Sequence, residues 1–133
     1  MTALALDLDG VLGDTLPLWE AFLVDVSRRA HVDPERLDEE LPNWRVLLER
    51  FAEDHAPVYL RPSAPATAAL RRLQGEGVRV GVFTDAPEEL ARVALAHLGG
   101  ARRVELLEAG PGSLERLLAK LPDARVVRTL AEL

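Results

Sequence analysis

An α/β fold, built on a parallel sheet with helices on both faces, is predicted for this 133-residue chain by three observations. Short apolar runs alternate with stretches of helical periodicity, the order that right-handed crossovers turn into a parallel sheet. The first run ends in two aspartates and a glycine, Asp7, Asp9 and Gly10. One long stretch, residues 16–56, has helical periodicity but no strand, and reads as a small insertion after the first strand. The expected division is an α/β core from 1–15 and 57–133, with a helical insertion at 16–56.

The elements follow in order. Residues 3–8 are short, nearly all apolar and closed by Gly10, as a buried strand should be. Thr15 stands where a helix cap belongs, with Pro17 in the first turn and Trp19, Phe22, Leu23, Val26 and Ala30 at helical spacing. Asp33-Pro34 starts a short helix that Pro42 ends. Asn43 opens a third, with Trp44, Leu47, Leu48 and Phe51 on one face, expected to finish before Pro57. Residues 63–74 (SAPATAALRRLQ) form a helix burying Ala66, Ala69, Leu70 and Leu73, closed by Gly75 and Gly77. Residues 78–83 (VRVGVF) are a strong strand. Asp85-Ala86-Pro87 begins a helix with the stripe Leu90, Val93, Ala94 and Leu98. Residues 103–107 read as a third strand, Ser113 as the cap of the next helix, and 124–128 (ARVVR) as the last strand. Together these elements make a three-layer, Rossmann-like architecture.

Composition narrows the partners. Apolar residues at 48% and charged residues at 29% are ordinary for a soluble domain. A net charge of −6 argues against a nucleic-acid groove or an anionic membrane surface. The chain has no cysteine, so disulfides and thiolate metal sites are excluded. No basic leader precedes the first strand and no run approaches the ~18 apolar residues of a membrane span, so a cytoplasmic location is the default expectation. Fifteen of the sixteen basic residues are Arg, leaving Lys120 as the single lysine.

In an open parallel sheet, ligands bind beyond the carboxyl ends of the strands. The polar residues expected there are Asp7 and Asp9, then Thr84 and Asp85, then Arg128 and Thr129. Two carboxylates one residue apart suit divided labour, one attacking or binding a hard cation and the other moving a proton. A neighbouring threonine can donate to a phosphoryl oxygen, and Mg²⁺ favours one or two carboxylates plus phosphate and water. Turn and cap bonds in a strand-to-helix corner explain the same two aspartates without chemistry.

The phrase DLDGVLGDT followed by Pro17 resembles the first motif of the haloacid dehalogenase superfamily, in its phosphoglycolate phosphatase-like branch. RPSAPATAALRRLQGEGVRVGVFTDAP is similar to that branch's re-entry segment and second motif, ending in Thr84. The resemblance implies a helical cap inserted between the motifs, here shorter than usual. It also implies Asp7 as a nucleophile forming an aspartyl-phosphate and Asp9 as general acid and base. Thr84, with Asp85 and Gly10 beside it, would hold the phosphate. Mg²⁺ would sit on Asp7 and the main-chain carbonyl of Asp9, and the substrate would be a small phosphorylated metabolite.

Two further parts that the resemblance implies are missing. A lysine, often before proline, belongs after the third strand, where this chain has Gly110-Pro111. One or two acids that complete a Mg²⁺ shell belong after the last strand, where it has Arg128 and Thr129. Losing a preorganised cation of this sort costs roughly 3–4 kcal/mol of barrier. A guanidinium near the metal position repels a divalent cation by about several kcal/mol at a partly buried site. Lys120 is expected to point to solvent, Glu105, Glu108 and Glu132 to be surface acids, and His31, His55 and His97 to lack ligand spacing. Arg128 either replaces the metal beside Asp7 or Asp9, or points into solvent. Three functions follow from these alternatives: a fold-conserving protein with impaired catalysis, an active divergent Mg²⁺-dependent phosphohydrolase, or an interaction protein using Trp19, Trp44 and Phe51.

Overall fold

The computed structural model describes residues 2–133. Four parallel strands, β1 (Ala3–Asp7), β2 (Arg79–Thr84), β3 (Leu106–Ala109) and β4 (Arg125–Val127), form one sheet in the order β3-β2-β1-β4. Six helices surround it: α1 (Leu16–Arg29), α2 (Leu37–Glu40), α3 (Trp44–Tyr59), α4 (Ala64–Gly75), α5 (Glu88–His97) and α6 (Ser113–Lys120). The α/β class with a parallel sheet and helices on both faces is as expected.

Side chains on a strand alternate between faces, so the sheet sorts its residues by parity. Leu4, Leu6, Val80 and Val82 enter the large core shared with Leu18, Phe22, Leu48, Leu70, Leu90 and Ala94 of the surrounding helices. Ala5 and Phe83 enter a smaller one with Leu117 and Leu121 of α6. That second layer is thin because α6 lies directly on Gly81, where a Cβ would stand 2.6 Å from a Leu117 methyl. Asp7 has the parity of Ala3 and Ala5, which turns it toward the face that α6 covers.

Several boundaries move for identifiable reasons. The strand expected at 103–107 begins at Leu106, because Arg103 and Val104 both donate to the Gly100 carbonyl and form a turn instead. The third helix continues through Pro57 to Tyr59, held by the buried Ala56 and by the Leu60 N–H donating to the Ala56 carbonyl at 2.7 Å. The Asp33-Pro34 start gives a single 3₁₀ turn, Pro34–Arg36, before the short α2. Neither Thr15 nor Ser113 caps its helix through its side chain. Thr15 is drawn to Asp9 instead, and Gly112 occupies the position before α6 in a left-handed conformation.

Candidate functional site

Beyond the carboxyl end of β1, strand register assembles the site. Leu6 pairs with Val127 on one side, and Asp7 with Phe83 on the other. One residue further along β4 comes Arg128, which shares the parity of Val126 and therefore Asp7's face. Its Nη1 lies 3.5 Å from Asp7 Oδ2, an ion pair longer than a hydrogen bond, and its guanidinium carbon is 5.5 Å from the Phe83 ring centroid. The Asp7 side chain is 19% exposed and that of Arg128 is 58% exposed, so the pair is partly open to solvent. Burial pushes the Asp7 carboxyl above its ordinary value of 3.8, with help from Asp9 and Asp85; the Asp9 N–H and Arg128 pull against this.

The chain then turns sharply. The Asp9 N–H donates back to Asp7 Oδ1 at 3.0 Å, and the Gly13 N–H to the Leu8 carbonyl at 3.0 Å. Gly10 sits at φ +146°, and a Cβ there would overlap the Arg128 carbonyl oxygen. Only glycine lets the turn and the end of β4 approach so closely. The Gly10 N–H donates to the Gly13 carbonyl, so this amide serves the turn.

Asp9 is the most heavily engaged group in the site. Its Oδ1 accepts from both the N–H and the hydroxyl of Thr15, each at 2.8 Å, and its Oδ2 accepts from the Thr84 hydroxyl at 2.5 Å. Thr15 and Thr84 are both buried. Asp9 therefore ties the start of α1 to the end of β2. The Thr84 hydroxyl spends its one proton on Asp9, while its oxygen accepts from the Ala86 N–H at 3.2 Å. The turn and cap bonds anticipated as the chemically silent reading of the two aspartates are thus present.

A cleft of about 320 Å³ opens here, bordered by Asp7, Asp9, Thr84, Asp85, Arg128 and the first turn of α6. Of the expected site residues, Gly10 does not border it. Gly110-Pro111, standing where a lysine would be, belong to a turn in which Gly110 has φ +84° and Gly112 has φ +77°. The Gly110 N–H is shared between the Thr84 and Ala86 carbonyls. A lysine at 110 would hold a left-handed backbone at a cost of about 1–2 kcal/mol. Lys120 lies away from the cleft, 2.8 Å from Glu108. Glu105 pairs with Arg79, and Glu132 accepts from Thr129.

For a divalent cation the donors would be Asp7 and the Asp9 carbonyl. Among the described residues, no three His, Cys, Asp or Glu side chains gather as a metal site. The Asp7 oxygen that a cation would need already faces a permanent positive charge. This donor set does not fit Mg²⁺.

Reading the sequence missed two features. Phe83 flanks Asp7 across the sheet, a placement that follows from period-two parity once β1 and β2 are paired. Ser113, read as a helix cap, is instead buried at the first position of α6, with an Oγ that has no hydrogen-bond partner among the described residues. The aromatic residues considered for an interface pack on one another: Trp19 stacks on Phe22, Trp44 is buried against Trp19, and Phe51, half-buried like Trp19, packs edge-on to Phe22. No helix among the described residues is long and apolar enough to cross a membrane.

No family model and no curated protein matches the chain. Among solved structures, it is similar to the crystal structure of a putative beta-phosphoglucomutase from Thermotoga maritima. The TM-score is 0.60 at 23% identity, over 96% of this chain and 75% of that one. What the two share is an architecture, a Rossmann-like α/β fold.

Proposed function

We propose that this chain is a catalytically impaired relative of small-molecule phosphatases, which keeps their fold and an anion-binding cleft. The observation that carries the reading is Arg128 beside Asp7, 3.5 Å from the oxygen that would otherwise meet a metal. In this reading Arg128 stands in the metal's place and occupies the would-be nucleophile. Asp9 supports the same conclusion: a general acid must hand over a proton, and both oxygens of this carboxylate already accept hydrogen bonds from buried donors. Without a lysine in reach, the one cation bordering the cleft is Arg128, which already faces Asp7 rather than a transferring phosphoryl group. The fold likeness to a protein named as a phosphoglucomutase supports phosphorylated small molecules as the ligand class.

The test is release of phosphate from a panel of small phosphate esters, with and without Mg²⁺. The native chain should show no turnover above an Asp7→Asn control. The double variant Gly110→Lys, Thr129→Asp should gain Mg²⁺-dependent turnover, though limited by Arg128 and by the backbone cost at position 110. Mg²⁺-dependent turnover by the native chain that Asp7→Asn abolishes would sink the reading and establish an active phosphohydrolase.

A further inference from the structure

The β3 edge of the sheet is open, and register identifies its open groups. In a parallel ladder, alternate residues turn both backbone groups toward the same neighbour. Thr84 of β2 lies opposite Ala109, and its carbonyl accepts from the Gly110 N–H at 3.0 Å. Glu108 and Gly110 therefore bond β2 there, and Leu107 and Ala109 turn their backbone outward. Among the described residues no strand lies beyond β3, and outside the sheet the Leu107 N–H, the Leu107 carbonyl and the Ala109 N–H make no hydrogen bond. The Ala109 carbonyl is taken by Arg116.

Edge strands are ordinarily guarded by charge, proline, bulges or a covering segment. The other edge of the sheet follows that rule, since β4 and the residue after it present Arg125 and Arg128, both exposed. Strand β3, LLEA, has neither a proline nor a basic residue, and its one acid, Glu108, is spent on Arg116 and Lys120. Beside it lies a groove of about 360 Å³ walled by Leu95, Ala101, Val104 and Leu107, with Arg92 and Glu105 also bordering it. Leu107 is half-buried and packs on the same core as Leu95 and Val104. Unpaired backbone and an apolar groove on one edge are what strand addition requires. One basic and one acidic side chain leave the groove without net charge against a second copy.

We infer that this edge takes a second copy of the chain, β3 against β3 in antiparallel pairing about a two-fold axis at Leu107, so that two sheets join as one. Two registers would use the outward groups. An axis at Glu108 sets that carboxylate directly against its own copy and needs the Ala109 carbonyl, which Arg116 holds. An axis at Leu107 instead pairs each Leu107 N–H with the other Leu107 carbonyl, and lays the two leucines side by side over the grooves. The interface is isologous, each copy giving and receiving the same contacts. A strand of 4 residues makes it small, under the ~1,000 Å² of a stable dimer, so the association is weak and concentration-dependent. The net charge of −6 opposes it and is screened at physiological salt.

Sedimentation equilibrium of the full chain tests this between about 10 µM and about 1 mM, where weak dimers populate. The mean mass should climb from one chain toward two. Amide hydrogen exchange on the native chain at both concentrations locates the contact: the Leu107 and Ala109 amides should slow by about threefold or more at the higher one, while amides away from β3 keep their rates. Ala109→Pro removes an outward N–H and no bond of the sheet, so it should leave the circular dichroism spectrum unchanged and move association at least about tenfold higher in concentration. A chain that stays single throughout, association that leaves the Leu107 and Ala109 amides unslowed, or a folded Ala109→Pro that associates like the native chain would each overturn the inference. An extended peptide protecting those amides on a chain that stays single would overturn it as well and give the edge to another partner. Should Ala109→Pro fail to fold, amide exchange on the native chain decides. Neither readout depends on turnover, so an active enzyme would overturn the proposed function and leave this pairing standing.

Discussion

Asp9 sets the energetics of the site at the scale of single residues. Its carboxylate answers three donors from Thr15 and Thr84, both buried, and those groups find no other acceptor among the described residues. Asp9→Ala should therefore destabilise the fold by about 2–4 kcal/mol, since it strands buried polar groups as well as losing their bonds. Urea denaturation measures this, and a loss under about 1 kcal/mol would mean that the donors find other partners. Asp7 behaves in the opposite way. Its carboxyl lies above the ordinary carboxylate range, chiefly through burial. The folded state thus binds the proton more tightly than the unfolded one. The stability from that proton is complete below the ordinary value of 3.8 and is lost as pH rises through the raised folded value. Asp7→Asn should then be more stable than the native chain near neutral pH by about 0.5–2 kcal/mol, since it removes the cost of a largely buried charge. The difference should shrink on acidification to about pH 3, where native Asp7 is itself protonated. The partner lost, Arg128, is largely exposed and offsets little of this gain. The pair DxD stood out in the sequence because carboxylates at a buried strand end need a reason. Its internal bonds did not, because Thr84 lies 75 residues away from Asp9 and only the folded chain decides whether its hydroxyl faces a ligand or a carboxylate.

Between elements, the anchoring of α6 matters most, because α6 alone builds the second face of the sheet and one wall of the cleft. Glu108 of β3 receives Arg116 at 3.0 Å and Lys120 at 2.8 Å, both from α6. Arg116 reaches further, to the carbonyls of Ala109 and Pro111, and so fixes the glycine turn that leads into the helix. Lys120, followed by Arg116, holds the Glu108 carboxyl below its usual range. The stability from this pairing is present above the ordinary glutamate value and is lost as pH falls through the lowered folded value. Glu108→Gln should cost about 1 kcal/mol near neutral pH, within the range of partly screened charge-assisted bonds, and nothing by about pH 2. Denaturation at the two pH values checks it, and an equal loss at both would point to packing instead. The sequence pattern located α6 but misjudged its start. A serine before an apolar run is ordinarily a cap, but here two left-handed glycines start the helix one residue earlier and carry Ser113 into the interior. The start of β3 was misplaced for a related reason, since a valine-containing segment reads as strand whether or not its amides are taken by a turn.

Across the whole molecule, the helical stretch after β1 does not stand apart from the sheet. Leu18, Phe22, Trp44 and Leu48 belong to the same buried cluster as Leu4, Leu6, Val80 and Val82. Helix α3 lies along α5, joined near the N-terminal ends of both by Arg45 to Glu89 and Arg92 to Glu49. The sequence changes texture near residue 56, within α3, but texture carries no information about what packs on what. Buried cores that are continuous unfold together. Both tryptophans, Trp19 in α1 and Trp44 in α3, lie in the helical stretch, so their fluorescence reports on it, whereas circular dichroism reports on all elements. The two probes should give superimposable urea transitions. A fluorescence midpoint well below that of circular dichroism would show that α1 to α3 melt as an independent unit, and the cluster would then be divided where it looks continuous. Orthophosphate in the same titration separates the possibilities further. An anion held in the cleft, as the proposed function has it, would stabilise the folded chain by mass action. If the chain is one cooperative unit, both midpoints should rise together, including that of tryptophans that border no part of the cleft.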